Sequence, residues 1–255
     1  MTVWDPGQYT RFGDYRLRPG IDLLSRIPDI EPNLIWDLGC GTGNITEILA
    51  RRWPKAKVVG VDSSAEMLAK AKAIPDIEWV HADIASWNPP EIPDIIYSNA
   101  TLHWLPGHET LFPRLVDRLR PGGILAVQMP RNVHAASHQE IIVVSNDSRW
   151  RAELGAVLAS MPMAGEPANY YRWVNNSVRS IDVWETEYLH VLEGKNAVAE
   201  WTKGSVLKPF LDALPADRQG EFFDEYARRL GVAYPKQPDG RTLFPFRRLF
   251  LIAQR

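Results

Sequence analysis

The chain has 255 residues, 45% of them hydrophobic and 24% charged, with a formal net charge of -2. This balance belongs to a soluble globular protein and excludes both a disordered chain and the basic field that long nucleic acid requires. No apolar run approaches the roughly 18 residues of a membrane span. The amino terminus MTVWDPGQYTRFGDY lacks the apolar core of a secretion signal, and the single cysteine, Cys40, forms no internal disulfide, so a cytoplasmic location is expected.

Residues 1–32 are read as a helical leading segment. LIWDLG (34–39) is a short apolar run ending at glycine, the mark of a buried strand. GNITEILARRW (43–53) sets Ile45, Ile48 and Leu49 at helical spacing, with Pro54 just beyond. KVVGVD (57–62) is the next strand and SAEMLAKAKA (64–73) the next helix, with Ser63 or Ser64 as its N-cap. IEWVHAD (77–83), PDIIYSNA (93–100) and GGILAVQMP (122–130) add three strands. HETLFPRLVDRLR (108–120) is a helix, with Pro113 expected in its first turn. Beyond Met129 the pattern loosens into a mixed helical stretch over 131–168, a long strand at 178–192, helices at 193–214 and 215–234, and a closing strand at 242–255 with Pro245 at its edge or entrance. Strands that alternate with helices and are apolar throughout define a doubly wound α/β fold around a parallel sheet. The chain reads as one domain in which 33–130 is the ligand-binding half. The strands 178–192 and 242–255 are expected at the sheet edge, and 131–168 and 193–241 as a mostly helical cap.

The turn WDLGCGTGN spaces Gly39, Gly41 and Gly43 as G-x-G-x-G. A tight strand-to-helix turn that needs positive φ explains such glycines, and so does a ligand passing close to the backbone. The dinucleotide fingerprint is G-x-G-x-x-G and carries a pyrophosphate. Here Asp37 precedes the turn, where it repels a diphosphate and suits a cation such as an α-ammonium group. Asp62 ends the second strand, a place from which a carboxylate accepts both hydroxyls of a ribose. Asp83 ends the third, within reach of an exocyclic adenine amine.

DLGCGTGN, VVGVDSS, HADIASW and RPGGILAVQMP, in this order, resemble the motif series of class I S-adenosylmethionine-dependent methyltransferases. The resemblance implies a Rossmann-like sheet of seven strands with the last antiparallel, S-adenosyl-L-methionine as cofactor and S-adenosyl-L-homocysteine as product. It places cofactor contacts at Asp37, Gly39, Cys40, Gly41, Gly43, Asp62, Ser63, Met67, Asp83, Ile84 and Asn99. The glycines would let the backbone pass the methionine and ribose portions, Cys40 would fill a small space beside the cofactor, and Met67 and Ile84 would pack on the adenine. WDPGQY (4–9), RLRP (16–19), NATLHWLPGHETLFPRL (99–115), WTKGSVLKPFL (201–211) and FPFRRLFLIAQR (244–255) resemble a branch of that family acting on a small polycarboxylic acid. Methyl transfer to one carboxylate, giving a monomethyl ester, is the implied reaction.

A carboxylate with a pKa near ~4 is ionised at neutral pH and attacks in line without a general base. No catalytic side chain is therefore expected; orientation and removal of water carry the reaction. The remaining carboxylates need fixed donors, for which the arginine fork is best shaped. Candidates are Arg11, Arg16 and Arg18 in the leading segment, Arg131 after the fifth strand, Arg172, Lys203, Lys208, and Arg241 or Arg247 near the last strand. Tyr9, Tyr15, His103, Trp104 and His134 are further donors. For most surface arginines a solvated charge is the plainer reading. Six histidines and one cysteine show neither H-E-x-x-H nor C-x-x-C, so no metal is expected. The expected partner is a small polycarboxylate, with no nucleic acid or membrane and a monomer as the default. Competing readings are another di- or tricarboxylic acid, a phenolic or apolar acceptor needing a base, and a sensor that binds the cofactor without turnover.

Overall fold

The computed structural model describes residue 15 and residues 17–88, 91–161 and 163–255. The chain divides into two compact units: residues 1–130, 164–186 and 248–255 belong to the first, and residues 131–163 and 187–247 to the second. No helix among the described residues is long and apolar enough to cross a membrane.

Five strands, β1 (Leu34–Leu38), β2 (Lys57–Asp62), β3 (Glu78–His81), β4 (Ile95–Asn99) and β5 (Ile124–Pro130), run parallel. With β6 (Ser180–Leu192) and β7 (Thr242–Gln254) they form a seven-stranded sheet in the order β3-β2-β1-β4-β5-β7-β6, with β7 antiparallel to β5. This is the expected doubly wound sheet. Its order reverses between β1 and β4, and α/β sheets bind ligands beyond the carboxyl ends of the strands at such a point. The expectation that both late strands lie at the edge holds for β6 alone. β7 sits inside, between β5 and β6, because Leu249, Leu251 and Ala253 are buried in the core. Pro245 lies in β7 ahead of the residues that pair with β5, so it breaks no rung of that ladder.

Register fixes what each face carries, since directly paired residues share a face. Leu34, Trp36, Leu38, Val59, Val61, Ile96, Leu125, Val127 and Leu249 line the apolar face and belong to one core cluster. The opposite face carries Asp37, Tyr97, Asn99, Gln128 and Arg248. Helix α1 (Arg18–Ser25) packs there: the Tyr97 hydroxyl donates to the Gly20 carbonyl at 2.6 Å, and a Cβ on Gly20 would lie 3.2 Å from Asn99 Cγ. Helix α2 (Asn44–Arg52) follows the glycine turn, and α3 (Ala65–Ala71) is capped by Ser64, whose Oγ accepts from the Met67 N–H at 3.3 Å.

Pro113 is the sixth residue of α4 (His108–Arg118), in its second turn rather than the first. The proline forfeits one helical hydrogen bond, and the burial of Leu111, Phe112, Leu115 and Val116 holds the helix regardless. Residues 164–168, read above as part of the cap, go with the sheet unit. The reason is α7 (Pro167–Val174): Tyr170 is fully buried, its ring 4.7 Å from that of Phe112, and its hydroxyl donates to His108 Nδ1 at 2.8 Å and accepts the Gly165 N–H at 2.9 Å.

The second unit holds α5 (Ala136–Ser145), α6 (Arg151–Ala159), α8 (Ala197–Lys203), α9 (Lys208–Ala213) and α10 (Ala216–Ala233) around its own core of Ile141, Trp150, Leu154, Phe210, Phe222, Tyr226 and Leu230. The single helix expected over 193–214 is two, because Gly204 ends α8 and Pro209 opens α9. Tyr226 is fully buried; its hydroxyl donates to the Ser137 carbonyl at 2.8 Å and meets Thr202 Oγ1 at 3.1 Å. Tyr226→Phe would remove that bond and the contact with Thr202 Oγ1, costing about 1 kcal/mol. A thermal melt should show a midpoint several degrees lower, and an unchanged midpoint would mean that solvent replaces the bond.

Candidate active site

At the carboxyl end of β1 the chain turns through Gly39, Gly41 and Gly43, all with left-handed φ of 78°, 56° and 85°. Their missing side chains have different causes. A Cβ on Gly39 would lie 2.1 Å from the Thr101 side chain, and one on Gly43 would lie 2.6 Å from the Trp79 ring. A Cβ on Gly41 would meet nothing within 4 Å. The expectation that all three make way for a ligand is thus corrected: Gly39 and Gly43 make way for protein, and Gly41 alone faces open space. The turn is tied to β2 by the N–H groups of Gly39 and Cys40, which converge on the Val61 carbonyl at 2.7 and 3.1 Å.

Asp37 is buried, with Thr46 Oγ1 donating to its Oδ2 at 2.6 Å. Burial, opposed by that hydrogen bond and reinforced by the charge of Asp62, raises its carboxyl to about 7. Asp62 accepts the Gly41 N–H on Oδ2 and the Ser64 N–H on Oδ1, both at 2.8 Å. Each oxygen keeps a second lone pair, so the carboxylate can still accept two hydroxyls. Asp83 is exposed beyond β3, with Oδ1 taking the Ala85 N–H at 2.9 Å. At the end of β4, Asn99 Oδ1 is buried without a hydrogen-bond partner, just before Ala100, a non-glycine residue at φ 54°. Cys40 is buried with its Sγ turned toward Gly60, and burial together with Asp37 and Asp62 pushes its thiol well up, which disfavours the thiolate. Ser63 and Met67 are exposed in and after the β2 turn, and Ile84 is buried beside Asp83.

The expected cofactor residues therefore gather at the carboxyl ends of β1 to β4, and they are rich in acceptors. An α-ammonium group, a ribose diol and an adenine amine are donors, so S-adenosylmethionine fits the set: Asn99 Oδ1 and Asp37 for the ammonium, Asp62 for the diol and Asp83 for the amine. The open side of Gly41 gives the backbone approach that such a ligand needs.

The expected acceptor residues are more scattered. Tyr9, Arg11 and Arg16 lie outside the described residues. Arg18 opens α1 at 3.7 Å from Asp22. His103 and Trp104 stand in a short 3-10 turn after β4, their ring centroids 4.9 Å apart. Arg131 is buried, and its N–H donates to the Arg247 carbonyl at 2.9 Å. Lys203 pairs with Glu200 at 4.0 Å and lies over the Phe223 ring, while Arg241 pairs with Glu193 at 3.2 Å; both sit in local surface contacts of the second unit. Sequence reading passed over three residues. Arg114 of α4 donates to the carbonyls of Ile84, at 3.1 Å, and Ala85, holding the Asp83 loop. Gln128 and Arg248 are buried polar side chains on β5 and β7. A signal was present for the last, because Arg248 shares strand parity with Phe244, Phe246 and Phe250 and therefore points inward.

A methyltransferase-domain family profile matches residues 35–123. Among solved structures, an S-adenosylmethionine-dependent methyltransferase from Mesorhizobium loti shares the fold at a TM-score of 0.52 and 20% identity, covering 93% of this chain and 97% of its own. Phosphoethanolamine N-methyltransferase 2 of Haemonchus contortus, solved with S-adenosyl-L-methionine, shares it at 0.55 and 16% identity, over 93% of this chain and 52% of that one. Fold and site together define a Rossmann-like methyltransferase. Trans-aconitate 2-methyltransferases are 45% identical in Methylobacterium nodulans (100% of this chain, 99% of that one) and 44% identical in Azoarcus sp. (100% of both). The same enzyme in Streptomyces coelicolor is 44% identical over 99% of this chain and 87% of its own. The chain belongs to the trans-aconitate 2-methyltransferase family.

The glycine assignments separate in a pair of variants. Gly39→Ala should lower the melting temperature more than Gly41→Ala, whose penalty is the left-handed backbone alone, about 1–2 kcal/mol. Calorimetry should show Gly41→Ala losing affinity for S-adenosylhomocysteine at least tenfold, as judged by the charge-assisted contacts displaced; equal affinity would place the ligand elsewhere. Asp37 supplies a pH test. A cationic ligand favours the ionised carboxyl, so binding below pH 7 must release a proton. Affinity for S-adenosylhomocysteine, which keeps the ammonium group, should rise about tenfold from pH 6 to pH 8 and stay flat in Asp37→Asn. A flat wild-type profile would remove Asp37 from contact with the cation.

Proposed function

We propose that this chain transfers the methyl group of S-adenosyl-L-methionine to a carboxylate of trans-aconitate, giving the monomethyl ester and S-adenosyl-L-homocysteine. The single observation that carries the reading is the acceptor-rich row at the carboxyl ends of β1 to β4, in a chain 45% identical along its whole length to a trans-aconitate 2-methyltransferase. The bound cofactor supplies an activated methyl group on a sulfonium.

The residues then have three tasks. Asp62, Asp83, Asn99 and Asp37 hold the donors of the cofactor and fix the direction of the methyl group. The glycine turn, braced from Asp62 to the Gly41 N–H at 2.8 Å, keeps that geometry rigid. Donors at the acceptor side, with Arg18, His103 and Trp104 as candidates and Tyr9 and Arg16 ahead of Arg18 in sequence, neutralise the carboxylates that do not react and replace their water. No residue needs to remove a proton, because the attacking carboxylate is already ionised. Positioning can supply about 7–11 kcal/mol of barrier reduction on its own.

Transfer of label from S-adenosylmethionine to trans-aconitate, cis-aconitate, citrate, isocitrate and a neutral phenol tests this directly. Trans-aconitate should have the highest kcat/KM. Transfer to the phenol alone would sink the anionic acceptor, and binding of the cofactor without transfer to any acid would leave a sensor.

A further inference from the structure

We propose that Gln128 and Arg248 together form the seat for a carboxylate at the β5–β7 end of the sheet, and that the carboxylate is one of the acceptor's that does not react. The inference rests on the activity proposed above and names the site that recognises its substrate.

Strand register puts the two side chains together. Gln128 pairs with Asn99 of β4 on one side and with Phe250 of β7 on the other, and Arg248, two residues from Phe250, shares their face. Gln128 is fully buried and Arg248 is 4% exposed. Arg248 Nη1 donates to Gln128 Oε1 at 3.3 Å. That bond decides which way the amide points: the oxygen faces the arginine, so Nε2 is turned off it as a donor. Nε2 is buried and makes no hydrogen bond. A strand buried on both faces has no packing use for an amide, and an apolar residue would spare the sheet an unsatisfied donor.

The order of polar groups across the sheet identifies the ligand. Along this one face, from β2 to β7, stand Asp62, Asp37, Asn99, Gln128 and Arg248. The row runs from acids through neutral amides to a cation. Its acidic end suits the donors of the cofactor and repels an anion. Its other end offers a guanidinium and an N–H that point at the same side of the sheet, a combination that fits the two oxygens of one carboxylate. The methionine part of the cofactor also carries a carboxylate, and the two sources give different results in the experiment.

Gln128→Leu, Gln128→Glu, Arg248→Met and Arg248→Lys would be made in the full chain and their melting temperatures checked. Affinity for S-adenosylhomocysteine is read by calorimetry, and KM and kcat for trans-aconitate by label transfer. S-adenosylhomocysteine affinity should stay within twofold of wild type while KM rises at least 30-fold in Gln128→Leu and Arg248→Met. Arg248→Lys should recover part of the loss. Gln128→Glu, which keeps the shape and the bond from Arg248 but sets a charge against the ligand, should show the largest rise. In the wild type, trans-aconitate added to the cofactor-product complex should raise the melting temperature, and in Gln128→Glu it should not. An unchanged KM in folded variants overturns the seat and leaves the activity standing. Weakened S-adenosylhomocysteine binding with unchanged KM also overturns it, by assigning the carboxylate to the cofactor. A wild-type chain that binds S-adenosylhomocysteine but takes no polycarboxylate overturns the activity and the acceptor seat together.

Discussion

The contact between Gly39 and Thr101 is the constraint on which the carboxyl end of the sheet depends. β1 and β4 lie side by side where strand order reverses, and a side chain on Gly39 would overlap that of Thr101. With only hydrogen there, the Thr101 hydroxyl lies 3.2 Å from the carbonyls of both Gly39 and Asn99. The same turn is held on its other side by the Val61 carbonyl of β2. Three strand ends are therefore fixed against one another by the Thr101 hydroxyl and by backbone groups. Left-handed Ala100 stands in the middle of this arrangement, the kind of local strain that persists where the surrounding structure determines it. The acids at the ends of β1 and β2 inherit their positions from it.

Electrostatics divides the polar face of the sheet into two ends. The buried carboxyl of Asp37, held up to about 7 by desolvation, has a hydroxyl for a neighbour rather than a cation. It is a group kept short of its own charge, and a cationic ligand restores that charge. At the far side of the same face the buried guanidinium of Arg248 leans on an amide. A sheet face with acid at one end and base at the other can hold a positively charged donor and a negatively charged acceptor side by side without exchanging them.

How far the sequence told this in advance varied with the signal each residue left. The first five strands were legible because each is an apolar run bounded by glycine, proline or an acid; Asp37 was legible because it precedes the glycine turn, and Asp62 and Asp83 because they end their runs. The glycines were legible as a turn, but not their separate reasons: the neighbours of Gly39 and Gly43 are Thr101 and Trp79, distant in sequence. The interior place of β7 depends on long-range pairing with β5. The helices α5 and α6 gather no clean apolar stripe, which left 131–168 a blur and carried residues 164–168 into the cap. The arginines were sought in loops and at helix ends, where charges are usually solvated. Arg248 was hidden by being inside a strand, beside an exposed Arg247 that looked the same.

The second unit is made of two inserts, 131–163 and 187–247, that share one hydrophobic core. Trp150 of the first packs edge-on against Phe222 of the second at 5.5 Å, and Arg218 of the second bonds to Glu153 and to the Arg149 carbonyl of the first. Such interlocking has a consequence for how the protein can change over evolutionary time. A single recombination event, or the grafting of one loop from a relative with another acceptor, would bring half a core and leave the other half without its complement. New specificity of that kind must enter either as both inserts at once or by point changes within an intact pair.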